Sequence, residues 1–178
     1  MKTINAFADT SSVNRILEVH TEEVKDALYE EDRQYLSKIL EYVEKGIVQL
    51  IVNPSIKREI EKTSDPNKKK KLLTLFDQFH FTPYNTTLFP FTFPAYFITE
   101  LEKRILEDLR KKIGAFRKDQ KIFSDAVSNS QVKVLLTTDR KHLARKEIYA
   151  YLKSNGLDKK ILVCTPKRFY EHLQRGES

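Results

Sequence analysis

Residues 119–143 read DQKIFSDAVSNSQVKVLLTTDRKHL. The first half has apolar residues at helical spacing, which predicts a helix over about 119–129. The apolar run VKVLLTT, residues 132–138, predicts a buried strand, and Asp139 follows it directly. The segment therefore predicts a helix that leads into a parallel strand with an acid at the strand's carboxyl end.

Three further runs have the character of buried strands: INAFA at 4–8, IVQLIV at 47–52 and ILVCT at 161–165. Between and after the strands, additional helices are predicted over about 31–45, 54–62, 141–154 and 166–174. Strands that alternate with helices predict an α/β fold in three layers, with a central parallel sheet of four to five strands flanked by helices.

The length of 178 residues predicts a single domain, residues 1–178. The region of about 64–113 is the variable part: a lysine-rich segment, a Pro-, Phe- and Tyr-rich loop at 80–96, and a helix with an apolar stripe from Ile98 to Ile113.

Composition restricts the class of protein. Hydrophobic residues make up 40% and charged residues 32%, as in a globular protein. Cys164 is the only cysteine, which excludes an internal disulfide and favours a reducing cytoplasm. No apolar stretch approaches the length of a membrane span. The net charge of +7 favours phosphate-rich partners.

Two acids directly follow predicted strands, Asp9 after INAFA and Asp139 after VKVLLTT. Because ligands bind at the carboxyl ends of parallel strands, these carboxylates are expected at one edge of the sheet. Glu59 lies on the helix that leaves this edge after the second strand, and Asp119 shares the core-facing stripe at the start of its helix.

Asp125 is the alternative to Asp119 as the third acid, but helical rotation turns it away from the stripe that Asp119 shares. Four converging carboxylates without matching cations repel one another unless a divalent cation neutralises them, and oxygen ligands favour Mg²⁺ or Mn²⁺. The alternative is that Asp9 and Asp139 are turn or cap residues and that Glu59 and Asp119 are surface helix acids.

These segments resemble the PIN-domain ribonuclease family. ADTS at 8–11 resembles the family's first acidic motif, and Glu59 in NPSIKREIEK resembles its helix glutamate. Residues 119–143 resemble the family's helix acid, strand and Thr-x-Asp ending, and VCTPKRFYEHL resembles its final strand and helix.

The resemblance implies a Mg²⁺- or Mn²⁺-dependent endoribonuclease, either a toxin of a toxin–antitoxin pair or an RNA-processing factor, with Asp9, Glu59, Asp119 and Asp139 as metal ligands. Thr10, Ser11 and Thr138 would donate hydrogen bonds that orient the carboxylates or water, and phosphate contacts would come from Arg140, Lys141 and His142. The expected partners are RNA, an antitoxin or other protein, and a second copy of the chain. The alternative is a PIN-like module that binds RNA or protein without cutting.

Overall fold

A computed structural model describes residues 3–18, 27–52, 55–78, 82–83, 100–108, 111, 122–123, 126–127 and 131–176. The strands are β1 (Ile4–Ala8), β2 (Val48–Val52), β3 (Thr82–Pro83), β4 (Val134–Leu136) and β5 (Leu162–Cys164). The helices are α1 (Thr10–Glu18), α2 (Ala27–Glu44), α3 (Ser55–Glu61), α4 (Pro66–Gln78), α5 (Glu100–Asp108), α6 (Lys146–Ser154) and α7 (Pro166–Gln174).

The strands form one sheet in the order β3-β2-β1-β4-β5, and every neighbouring pair is parallel. β1 lies at the centre, with Ala6 opposite Leu50 of β2 on one side and Val134 of β4 on the other. The first strand of the chain therefore pairs directly with a strand from its last third. The predicted α/β class and parallel sheet are confirmed.

Alternation along the strands buries side chains on both faces of the sheet, as expected for a parallel sheet covered by helices. On one face, Phe7 and Leu135 pack in a cluster that includes Ile148 of α6. On the other face, Ala6 and its neighbours pack against α1, α2 and α7, for example through Phe169. Helices on both faces are compatible with a three-layer α/β fold.

The helix ends follow local chemistry. α2 ends at Glu44, and Gly46 then takes φ +71°, a left-handed conformation that glycine adopts without steric cost, while its N–H donates to Val43 O at 2.9 Å. α7 begins with Pro166 at its first position, where the missing N–H would have no partner within the helix, and ends at Gln174 as predicted.

Several predicted boundaries differ from the structure. The helix predicted over 31–45 covers Ala27–Glu44, and the strand predicted over 132–138 covers only Val134–Leu136. The helix expected over 141–154 begins only at Lys146, because residues 140–143 form a turn and Arg145 is extended. The loop expected over 80–96 contains the short strand β3, which pairs with Ile51 and Val52. Most of that loop, including residues 84–96, lies outside the described residues.

Helix α1 was not predicted, although Val13, Ile16 and Leu17 have the spacing of a helical apolar face and are fully buried. In the described part of the chain, no helix is both long enough and apolar enough to cross a bilayer.

Candidate functional site

Asp9 lies at the carboxyl end of β1, directly before α1, and is 3% exposed. Its Oδ1 accepts a hydrogen bond from the Ser12 N–H at 2.7 Å, and its backbone oxygen accepts one from the Val13 N–H at 3.0 Å. This is the geometry of a helix N-cap. The structure thus gives Asp9 the cap role that was considered as the alternative to a ligand role.

Side-chain hydroxyls also donate to the Asp9 carboxylate. Ser11 Oγ lies 2.9 Å from Oδ1 and 2.8 Å from Oδ2, and Thr137 Oγ1 donates to Oδ2 at 2.5 Å. Burial nevertheless raises the pKa of Asp9 above its usual value, because desolvation of the charge outweighs the stabilising hydrogen bonds from Thr137, Ser12 and Ser11. Asp9 is a buried acid whose charge is only partly compensated by the protein.

Thr137 connects Asp9 to the second predicted acid. It is fully buried just after β4, and its Oγ1 accepts a hydrogen bond from the Asp139 N–H at 3.0 Å while donating to Asp9. One hydroxyl therefore lies between the carboxylate of Asp9 and the backbone of Asp139. The expectation that both acids lie at the same edge of the sheet agrees with this geometry.

Asp139 is half-buried and binds the turn that follows it. Its Oδ1 accepts hydrogen bonds from the backbone N–H groups of Lys141 and His142 at 3.0 and 2.9 Å. Its Oδ2 lies 2.9 Å from Nδ1 of His142, a contact in which the tautomer of the ring sets the donor. Each oxygen of this carboxylate therefore has a partner within three residues of Asp139.

The strand order places the two acids at a topological switch point. From β1 the chain continues toward β2 on one side of the sheet, and from β4 it continues toward β5 on the other side. Connections that diverge in this way leave a crevice at the carboxyl ends of the two strands, which is where open α/β sheets bind ligands. Asp9 and Asp139 follow these two strands.

Two of the three hydroxyls expected to orient the acids, those of Ser11 and Thr138, are hydrogen-bonded to Asp9 or to each other. Thr138 Oγ1 donates to Ser11 Oγ at 2.8 Å, so these two residues form a hydrogen-bonded chain that ends on the carboxylate of Asp9. Thr10 is the first residue of α1 and is half-buried.

The other predicted ligands are described only in part. Glu59 lies in α3, next to the buried Ile60, and α3 follows the carboxyl end of β2; its side chain is outside the described atoms. Asp119 and Asp125 both lie outside the described residues, so the choice between them stays open.

The three predicted RNA contacts have different surroundings. Lys141 is exposed, whereas His142 is half-buried against Asp139. Arg140 forms a two-pronged ion pair with Asp32 of α2, with distances of 2.6 and 2.7 Å. Of these three residues, Lys141 is the exposed one.

Sequence reasoning missed three residues of this site: Thr137, Ser12 and Asp32. Ser12 follows Asp9 by three residues, the spacing at which a cap carboxylate meets a helix N–H. Asp32 precedes the buried Leu36 by four residues, so helical spacing placed it on the core-facing side of α2. Thr137 carried no signal that separated it from Thr138.

Within the described ranges, no three His, Cys, Asp or Glu side chains form a group that could hold a metal ion. No profile of a known protein family matches the chain, and no curated protein matches it significantly.

Proposed function

We propose that the chain is a metal-dependent endoribonuclease of the PIN-domain type, which hydrolyses RNA phosphodiester bonds. The observation that carries the proposal is Asp9, a nearly fully buried carboxylate with a raised pKa at the switch point of a parallel sheet. A buried acid with a shifted pKa at a switch point is a candidate for a functional site. The link from Asp9 through Thr137 to Asp139 adds a second acid at the same place.

The donor chemistry fits Mg²⁺ or Mn²⁺, which prefer carboxylate oxygens. Asp9 and Asp139 would hold the ion together with Glu59 and Asp119, or with Asp125 in place of Asp119. When bound, a divalent ion supplies an activated water and stabilises charge on the attacked phosphate. A bound cation would offset part of the desolvation that raises the pKa of Asp9.

The neighbouring residues of the chain would hold the ligands in place. Ser11 and Thr137 donate to Asp9 and fix the plane of its carboxylate, and Thr138 orients Ser11. Lys141, exposed beside Asp139, would contact a phosphate of the RNA backbone. Such a contact adds affinity without sequence preference.

The biological setting remains part of the proposal. A cytoplasmic toxin of a toxin–antitoxin pair and an RNA-processing factor both fit a basic ribonuclease of 178 residues with net charge +7. An antitoxin or other protein, or a second copy of the chain, would be its protein partner.

The test is cleavage of a labelled single-stranded RNA in the presence of Mn²⁺. Asp9→Asn and Asp139→Asn should each lower kcat by at least roughly 100-fold, since metal catalysis contributes several kcal/mol. Asp158→Asn, which removes an exposed acid in a turn, is the matched control and should cleave normally. Comparing Asp119→Asn with Asp125→Asn identifies the third acid. Full activity of Asp9→Asn would disprove the mechanism.

One observation favours the second candidate, a PIN-like module that binds RNA or protein without cutting. Every carboxylate oxygen of Asp9 and Asp139 already has a hydrogen-bonding partner in the protein. A metal would have to share these oxygens with the present donors or replace some of them. Calorimetric titration with Mn²⁺ alone separates the candidates, because heat of binding that is lost in Asp9→Asn supports the nuclease, and RNA binding without Mn²⁺ binding supports the module.

A further inference from the structure

Asp32 is a buried acid that the proposed reaction does not use. Its side chain is 2% exposed, and both of its oxygens bind the guanidinium of Arg140, Oδ2 to Nη1 at 2.6 Å and Oδ1 to Nη2 at 2.7 Å. The planar fork of an arginine matches a carboxylate in this two-pronged arrangement, which fixes orientation as well as distance. The pair therefore holds Arg140 in one defined position.

The ion pair joins a rigid helix to the turn that carries Asp139. Asp32 lies on α2, whose Leu36 and Ile39 are fully buried against the sheet. Arg140 directly follows Asp139, and its backbone N–H donates to Thr138 O at 3.0 Å. Asp32 is thus anchored in the core on one side and reaches the residue next to Asp139 on the other.

Three sets of contacts hold the turn after Asp139. In the backbone, the N–H groups of Leu143 and Ala144 donate to Asp139 O at 3.1 and 2.8 Å. From within, the Asp139 carboxylate accepts from the N–H groups of Lys141 and His142. From outside, Asp32 holds the side chain of Arg140. Without the outer contact, the turn would be held by its backbone hydrogen bonds and by those to the Asp139 carboxylate, whose oxygens a bound metal would share.

The pair also changes what Arg140 can do for RNA. The negative charge of Asp32, in contact with the guanidinium, cancels most of the attraction that Arg140 would exert on a phosphate. Glu31 of α2 forms an ion pair with Lys167 at the surface, where the side chains are 34% and 46% exposed. Burial distinguishes the Asp32 pair from that surface pair.

We infer that Asp32 is a positioning residue, which acts through Arg140 to hold the Asp139 turn in place, and that Arg140 serves this role rather than phosphate binding. The inference rests on the proposed ribonuclease function for its kinetic consequence. The structural part of the inference, that Asp32 orders the turn, does not depend on that function, because the order of the turn can be measured without RNA or metal.

The experiment compares Asp32→Asn with Glu31→Gln, the matched loss of one charge and one ion pair from the adjacent residue of α2. Asp32→Asn should lower kcat for RNA cleavage about 10- to 100-fold, the usual effect of removing an outer-shell partner of a metal site, with KM unchanged. Glu31→Gln should leave both constants unchanged. Arg140→Lys, which keeps the charge opposite Asp32 but not the fork, should give a smaller loss in kcat and guards against misfolding of Asp32→Asn.

Amide hydrogen exchange provides the readout that needs no activity. The N–H groups of Lys141 and His142 should exchange at least about tenfold faster in Asp32→Asn, while amides of β1, which report global opening, change less. Unchanged exchange at these two amides, or a rise in KM with kcat preserved, would overturn the inference. If the wild-type protein cleaves no RNA, the proposed function fails, and the exchange rates alone decide whether Asp32 positions the turn.

Discussion

Replacing Thr137 by valine tests the link between the two acids most directly. Valine keeps the shape and burial of the side chain but removes the hydroxyl that donates to Asp9 and accepts from the Asp139 N–H. A hydrogen bond to a charged group contributes about 1.5–3 kcal/mol and a neutral one about 0.5–1.5 kcal/mol. At a pH where the Asp9 carboxyl is ionised, the Thr137→Val variant should therefore lose about 2–4.5 kcal/mol of unfolding free energy. Thr138→Val, whose hydroxyl donates to the neutral Ser11, should lose only about 0.5–1.5 kcal/mol.

The assay is urea unfolding of both variants and the wild type at several pH values. Burial raises the pKa of Asp9 in the folded state above its value in the unfolded chain. As pH falls, the folded protein therefore binds this proton first. The cost of the buried charge disappears as pH falls through the folded pKa. Because the Thr137 hydroxyl stabilises the charged form, the excess loss of Thr137→Val over Thr138→Val should shrink as pH falls toward the ordinary value of 3.8. Equal losses in the two variants at every pH would refute the link.

Three further predictions concern the Asp32–Arg140 ion pair, the packing of the core and the Cys164 thiol. Arg140→Ala should cost about 3–5 kcal/mol, and more than Asp32→Ala, because it leaves a carboxylate that is 2% exposed without its cation, whereas Arg140 is 34% exposed; urea unfolding measures both. Phe169→Ala should cost about 3–5 kcal/mol because the ring is fully buried, while Leu28→Ala, at a position 56% exposed, should stay within about 0.5 kcal/mol, measured by the same assay. Burial raises the pKa of Cys164 to about 12, so a thiol reagent at pH 8 should label this cysteine only after denaturant is added, and rapid labelling of the native protein would contradict its burial.

Much of the sheet could be predicted because buried parallel strands are near-continuous runs of apolar residues. The run INAFA predicted both ends of β1 correctly. All five of its residues pair with β2, and the last three also pair with β4. The strand predicted from VKVLLTT was too long at its end. The pairing of β4 with β5 ends at Leu136, opposite Cys164, because the chain after β5 leads directly into α7. The residue types at Thr137 and Thr138 do not indicate that the partner strand β5 has already ended.

The site was predicted only where it depends on strand ends. The locations of Asp9 and Asp139 follow from the topology of the strands. The contacts that hold them join residues far apart in the sequence, since Asp9 and Thr137 are 128 positions apart. The pairing of Asp32 with Arg140 spans 108 positions and could not be deduced from local pattern. Local spacing indicates which face a residue occupies, whereas its partner across the fold depends on packing.

The last strand of the sheet has a consequence for association between molecules. β5 is an edge strand of three residues, preceded by Lys159 and Lys160 and followed by Pro166 at the start of α7. An exposed strand edge can recruit a strand from another chain, and short length, lysines and proline are features that prevent such recruitment. These features therefore disfavour aggregation by strand addition at this edge.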